Sequence, residues 1–263
     1  MTKSWYIHSV DKNEKENILQ NYTNGRVPLR FFCNKKSGEN VFFKFYYSTN
    51  YERPDMYYVN NKCCYIFEHF EIDASLYKKK KGSSYKMNAN FAEKKLEVLS
   101  NNIIQNSKID KDKVNSCGSC CVTANQEAKK DYLKSNFIRI FDDHYKNIQF
   151  YKDNLKTHLN LKNQKFKIIF IIEDTTEFGG FLLKNGKPED LKLFYCDFVV
   201  DILKSARDID YFIFLDSEKV LNIIKNGKFA KLEKHILNFD KEKIEFINQV
   251  ISTSTPIFLP KQN

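Results

Sequence analysis

A chain of 263 residues can bury a sizeable core, as one large domain or two small ones. Its 23 Phe and 15 Tyr, set against 8 Gly and 5 Pro, exclude a disordered or low-complexity polymer. The formal charge of +10 suits an anionic partner such as nucleic acid, but only five of the 43 cationic residues are Arg, which argues against base-specific recognition.

In chain order, Glu14 to Gln20 suits a short helix ended by Asn24-Gly25. Val27 to Cys33 and Asn40 to Tyr47 flank the polar, Gly-containing stretch Asn34 to Glu39, which predicts a hairpin. Met56 to Val59 and Lys62 to Asp73 flank Asn60-Asn61 and predict a second hairpin. Lys78 to Lys81 with Gly82-Ser83-Ser84 reads as a basic loop, Phe91 to Ile104 as a helix, and Asn106 to Ser119 as a polar linker.

Leu133, Phe137, Ile140, Phe141, Tyr145, Ile148, Tyr151, Leu155 and Leu159 recur at spacings of three and four. That is the core face of one long helix or of two in succession, with Thr123 or Asn125 available to cap its start. Phe166 to Ile172 and Tyr211 to Leu215 are apolar runs of buried-strand type. Phe198 to Leu203, Glu218 to Asn226, Lys231 to Leu237 and Lys241 to Ile251 read as helices. The fold expected is mixed α/β: a β-rich region over 1–105, a linker over 106–122, and a helical and α/β region over 123–263. The alternative is a single domain whose halves share one mixed sheet.

The most suggestive stretch is His69-Phe70-Glu71-Ile72-Asp73, which closes the apolar run beginning at Cys63. Strand side chains alternate between faces, so His69, Glu71 and Asp73 are expected in a row. An imidazole and two carboxylates in line can bind a divalent ion or move protons. The same row also suits the wet face of an edge strand. A second acidic element, Glu173-Asp174-Thr175-Thr176, follows the run Phe166 to Ile172, at the strand end where α/β sheets place ligands. Gly179-Gly180 beyond it would let a substrate approach the backbone closely. If the two strands are neighbours, Glu71, Asp73, Glu173 and Asp174 would hold Mg2+ or Mn2+. His69 would act as ligand or base, and Lys78, Lys79, Lys80 and Lys81 would bind phosphate. The plainer alternative for Glu173-Asp174-Thr175 is a turn.

Pro54-Asp55 with Glu71-Ile72-Asp73 resembles the Pro-Asp…(Asp/Glu)-x-Lys signature of the restriction-endonuclease-like nucleases. The resemblance implies carboxylates on two adjacent strands, holding a metal that activates water against a phosphodiester. The chain departs from it twice. Asp73 stands where the signature has Lys, and a two-residue turn at Asn60-Asn61 would set Asp55 opposite Ile66 and Glu71 opposite Asn50. Five residues at ~3.3 Å each separate the two carboxylates by roughly 16 Å, which leaves Pro54-Asp55 outside the expected site.

Cys117-Gly118-Ser119-Cys120-Cys121 holds a Cys-x-x-Cys, the spacing of a zinc knuckle or redox pair. No second such pair exists, so Zn2+ is not the expected cofactor. The seven cysteines, without a secretory signal, are expected to be reduced. Asp142-Asp143-His144, His158 and His235 read as solvated faces. No run reaches the roughly 18 apolar residues of a membrane span, and the expected location is cytoplasmic. The leading expectation is a metal-dependent nuclease acting on DNA or RNA. The alternative is a non-enzymatic basic protein of a mobile element or of a defence or counter-defence system, binding a nucleoprotein or protein partner. A third is a zinc-stabilised nucleic-acid-binding module around Cys117 and Cys120.

Overall fold

The computed structural model describes Ile18 and residues 28–74, 128–174, 190–215 and 220–244 with their side chains. It describes the backbone alone of further strands at 77–78, 82–83, 114–126, 180–184, 187–189, 245–246 and 249–260. Among the described residues, seven strands make one mixed sheet: β1 (Leu29–Phe31), β2 (Thr49–Asn50), β3 (Met56–Val59), β4 (Cys63–Ile72), β5 (Lys165–Asp174), β6 (Tyr211–Leu215) and β7 (Leu221–Lys225). Their spatial order is β1-β7-β6-β5-β4-β3-β2. β4, β5 and β6 run parallel at the centre, β2 to β4 form an antiparallel meander, and β7 lies antiparallel to β6. Both halves of the chain therefore contribute to the sheet, and the mixed α/β class expected from the sequence is the one observed.

Central parallel strands must be apolar on both faces, and alternation along them sorts the core into two layers. Cys64, Ile66, Phe70 and Ile72 of β4, with Phe170, Ile172, Phe212 and Phe214, face one side. There they meet α2 (Lys130–Lys146), α3 (Ile148–Leu159) and α4 (Asp197–Ser205). Phe67, Ile169, Ile171, Ile213 and Ile223 face the other side, under Val41 and Phe45 of α1 (Lys35–Tyr46). The apolar stripe of the long helical segment is core as expected: Leu133, Phe137, Phe141, Ile148, Tyr151 and Leu155 are buried. The segment is two helices meeting at Asn147. No helix among the described residues is long and apolar enough to cross a membrane.

Several expected elements differ. The hairpin expected around Asn34 to Glu39 is helix α1. Its apolar Val41 and Phe45 recur at helical spacing, and Gly38 brings it close to β1: a Cβ there would lie 2.1 Å from Phe31 Cδ1. The helix expected over Glu218 to Asn226 is strand β7, because Leu221, Ile223 and Ile224 are buried within a two-faced sheet. Lys231 to Leu237 shrinks to a single turn at Ala230–Glu233. Residues expected as helix from Lys241 onward form strands Ile244–Phe246 and Gln249–Pro260. The latter pairs antiparallel with Val114–Gln126, which takes up part of the expected linker and both expected helix caps. Phe91 to Ile104 lies outside the described residues.

Candidate functional site

β4 is an internal strand, which removes the edge-strand reading of its polar residues: Glu68, His69 and Asp73 are buried. β4 and β5 pair in parallel register over their whole lengths, setting His69 beside Ile171 and Glu71 beside Glu173. By alternation His69, Glu71 and Glu173 share the α1 side of the sheet. The His69 Nε2 lies 2.9 Å from Glu173 Oε2, both side chains nearly enclosed, while Glu71 is half-buried. The two acidic segments thus meet at the C-terminal ends of the central parallel strands.

Two members of the expected group lie elsewhere. The strand ends at Ile72, and the buried Asp73 turns to α2: Asn136 Nδ2 donates to its carbonyl at 2.9 Å and stands 3.4 Å from its Oδ1. Asp174 belongs by alternation to the helix side of β5, where its charge adds to the burial that pushes the Cys196 thiol up. Tyr77–Lys78 pairs with Gly82–Ser83, so the basic segment spans a small antiparallel turn; the side chains of Lys78 to Lys81 lie outside the described residues. So do those of Cys117 and Cys120 within strand Val114–Gln126, and residues 175–179.

The β3–β4 register corrects the placing of Asp55. Asn60 Oδ1 accepts from the Lys62 and Cys63 amides, closing a longer turn than two residues, so Met56 pairs with Phe67. Asp55 then stands beside Glu68 and His69 rather than Ile66: its Oδ2 accepts the His69 amide at 2.7 Å, and its own amide is 3.4 Å from Glu68 Oε2. Asp55 is thus tied to the backbone of the residue whose ring holds Glu173.

Glu68 organises the opposite face. Its Oε1 accepts from the Tyr151 hydroxyl at 2.7 Å and lies 2.8 Å from His144 Nδ1. The His144 ring stacks on Phe70 with centroids 4.6 Å apart. Burial, then the Glu68 charge, raises the Tyr151 phenol far above its ordinary value. His144 is therefore a partner of a buried carboxylate and not part of a solvated face. A buried carboxylate needs such donors, since leaving it without them costs several kcal/mol, about 3–5 by analogy with broken buried pairs.

No family model, curated protein or solved structure matches the chain. The site must be read from its own chemistry.

Among the described residues, no three His, Cys, Asp or Glu side chains form a ready metal cluster. Glu71 and Glu173 still offer two hard oxygen donors in register on one face, and magnesium is commonly held by one or two carboxylates with water and substrate phosphate completing its shell. The donor set fits that ion better than zinc, which prefers nitrogen and sulfur. Sequence reasoning passed over Asp55, Glu68 and His144. The available signals were a lone Glu inside the run Cys63 to Phe70, and His144 seven residues, two helical turns, before Tyr151.

Proposed function

We propose that this protein is a metal-dependent phosphodiesterase acting on nucleic acid. The observation that carries the reading is the pairing of Glu71 with Glu173 on adjacent parallel strands, with His69 bound to Glu173. The +10 charge supports an anionic polymer as substrate.

In this reading Glu71 and Glu173 hold Mg2+ or Mn2+. The bound ion would supply charge neutralisation at the phosphate and a more acidic water. The protein's own contribution is positional. Asp55 fixes the His69 backbone, and Glu173 takes the His69 ring, so the imidazole is held in one orientation next to the carboxylate pair. There it can accept a proton from an attacking water. Phe67, Ile169 and Ile171 close the floor and keep bulk water from beneath the site. The lysines from Lys78 to Lys81 hold substrate phosphates.

The test is cleavage of labelled single-stranded DNA, duplex DNA and RNA by the purified chain with Mg2+, with Mn2+ and with EDTA. Metal-dependent cleavage is expected, falling about a hundredfold or more in Glu71→Gln and Glu173→Gln at unchanged circular dichroism. A wild type inert on every substrate would overturn the reading and favour the basic interaction protein instead.

A further inference from the structure

Helix α1 carries rings that its own fold leaves uncovered. Phe43 and Tyr46 are each 50 % exposed and Tyr47 is 58 % exposed, whereas Phe45 between them is fully buried against Phe67. The exposed rings are contiguous: Phe43 and Tyr47 have centroids 4.5 Å apart, Tyr46 and Tyr47 5.1 Å, and the half-buried Phe42 adjoins Tyr46 at 6.4 Å. No aliphatic side chain of α1 is exposed beside them.

The charge around the rings is positive. α1 carries Lys35, Lys36 and Lys44 against the single acid Glu39, and Lys35 Nζ sits 3.7 Å from Glu39 Oε1. Lys44 is buried under the rings of Phe43, Tyr58 and Tyr65, at 5.7, 5.3 and 5.2 Å from their centroids, and its Nζ donates to Asn40 Oδ1. Exposed π faces in a cationic setting complement unpaired nucleobases, which stack on rings while their phosphates meet lysines. A protein partner of ordinary apolar character would be better met by aliphatic surface.

We propose that Phe43, Tyr46 and Tyr47 form a stacking platform for an unpaired stretch of nucleic acid. α1 packs on the same face of the sheet that bears His69, Glu71 and Glu173, so the platform assigns a single-stranded form to the substrate of that site. The inference rests on the nucleic-acid reading above, but not on cleavage.

The experiment is fluorescence anisotropy of the full chain with labelled oligothymidylate and oligouridylate of about 20 nucleotides, and with a duplex of equal length. EDTA keeps cleavage out of the measurement. Replacing Phe43, Tyr46 and Tyr47 together by Ala is expected to weaken single-strand binding about tenfold or more and duplex binding less than about twofold. A second variant, Tyr46→Leu with Tyr47→Leu, keeps bulk without π faces and is expected to lose single-strand affinity too. Equal losses on both probes, no loss on either, or no wild-type binding would overturn the platform. So would sedimentation showing a wild-type dimer that the Ala variant abolishes, which would assign the rings to a second copy. Single-strand binding with no metal-dependent cleavage would sink the phosphodiesterase while leaving the platform standing.

Discussion

The His69 imidazole and the Glu173 carboxylate meet at 2.9 Å although 104 positions separate them in the chain. The contact bridges β4 and β5 on one face, beside the paired Glu71. Removing it should be felt in stability as well as activity. His69→Ala is expected to lower the unfolding free energy by about 1–3 kcal/mol, because the enclosed Glu173 loses a charged or polar donor. His69→Gln, which keeps a donor, should recover part of that loss. Urea denaturation of the three proteins measures both, and an unchanged midpoint in His69→Ala would contradict the pairing.

The Glu68 network should behave as one unit. Tyr151→Phe removes one hydrogen bond and should cost about 1 kcal/mol. Glu68→Ala leaves the Tyr151 hydroxyl and His144 without their shared acceptor and should cost about 3–5 kcal/mol. In the double variant the tyrosine change should cost much less than it does alone, since its acceptor is already gone. Additive effects in the thermodynamic cycle would show that Glu68 and Tyr151 act independently.

Gly38→Ala opposes two effects. Alanine is the better helix former by about 1 kcal/mol, but its Cβ would meet Phe31 Cδ1 at 2.1 Å and Cys33 Sγ at 3.2 Å. The clash is expected to win, giving a net loss of about 1–2 kcal/mol. In a Phe31→Ala background the same substitution should become neutral or stabilising. Thermal melts of the four proteins decide it.

Cys64 makes alkaline stability fall. Burial, with Cys63 adding, pushes its thiol up to about 12 from an ordinary 9.0. The unfolded chain therefore ionises first. The stabilising contribution is complete below pH 9 and is lost as the pH rises toward and through 12. Lys167, raised by its hydrogen bond to Asp210, acts in the same direction. Cys64→Ala should flatten the decline between those limits without removing it. Iodoacetamide in native protein at pH 8 should leave Cys64 unlabelled, as read by peptide mass spectrometry.

The central strands and the helical core face were legible because their apolar patterns are long and tertiary packing agrees with them. The Asp55 position was not. It depended on one Asn60 side chain accepting two amides, which lengthens the turn and slides β3 along β4. α1 was hidden by Gly38, a turn residue by habit that serves here to admit Phe31. Glu71 and Glu173 could be proposed as neighbours only by supposing adjacent strands, whereas Asp73 and Asp174 were lost to the pocket through strand termination and alternation. Glu68 and His144 were missed because a carboxylate and an imidazole on two apolar elements carry no spacing that links them.

The union of β4 with β5 also governs how the molecule is made. Loop closure over about a hundred residues is slow compared with local hairpin formation, so the meander of β2 to β4 is ready long before its neighbour. At ribosomal speeds of about 5–20 residues per second, one edge of β4 waits roughly 5–20 s for its partner to emerge. Throughout that interval an apolar ribbon stands open to other nascent chains, and yield in cells should depend on chaperone supply more than on native stability.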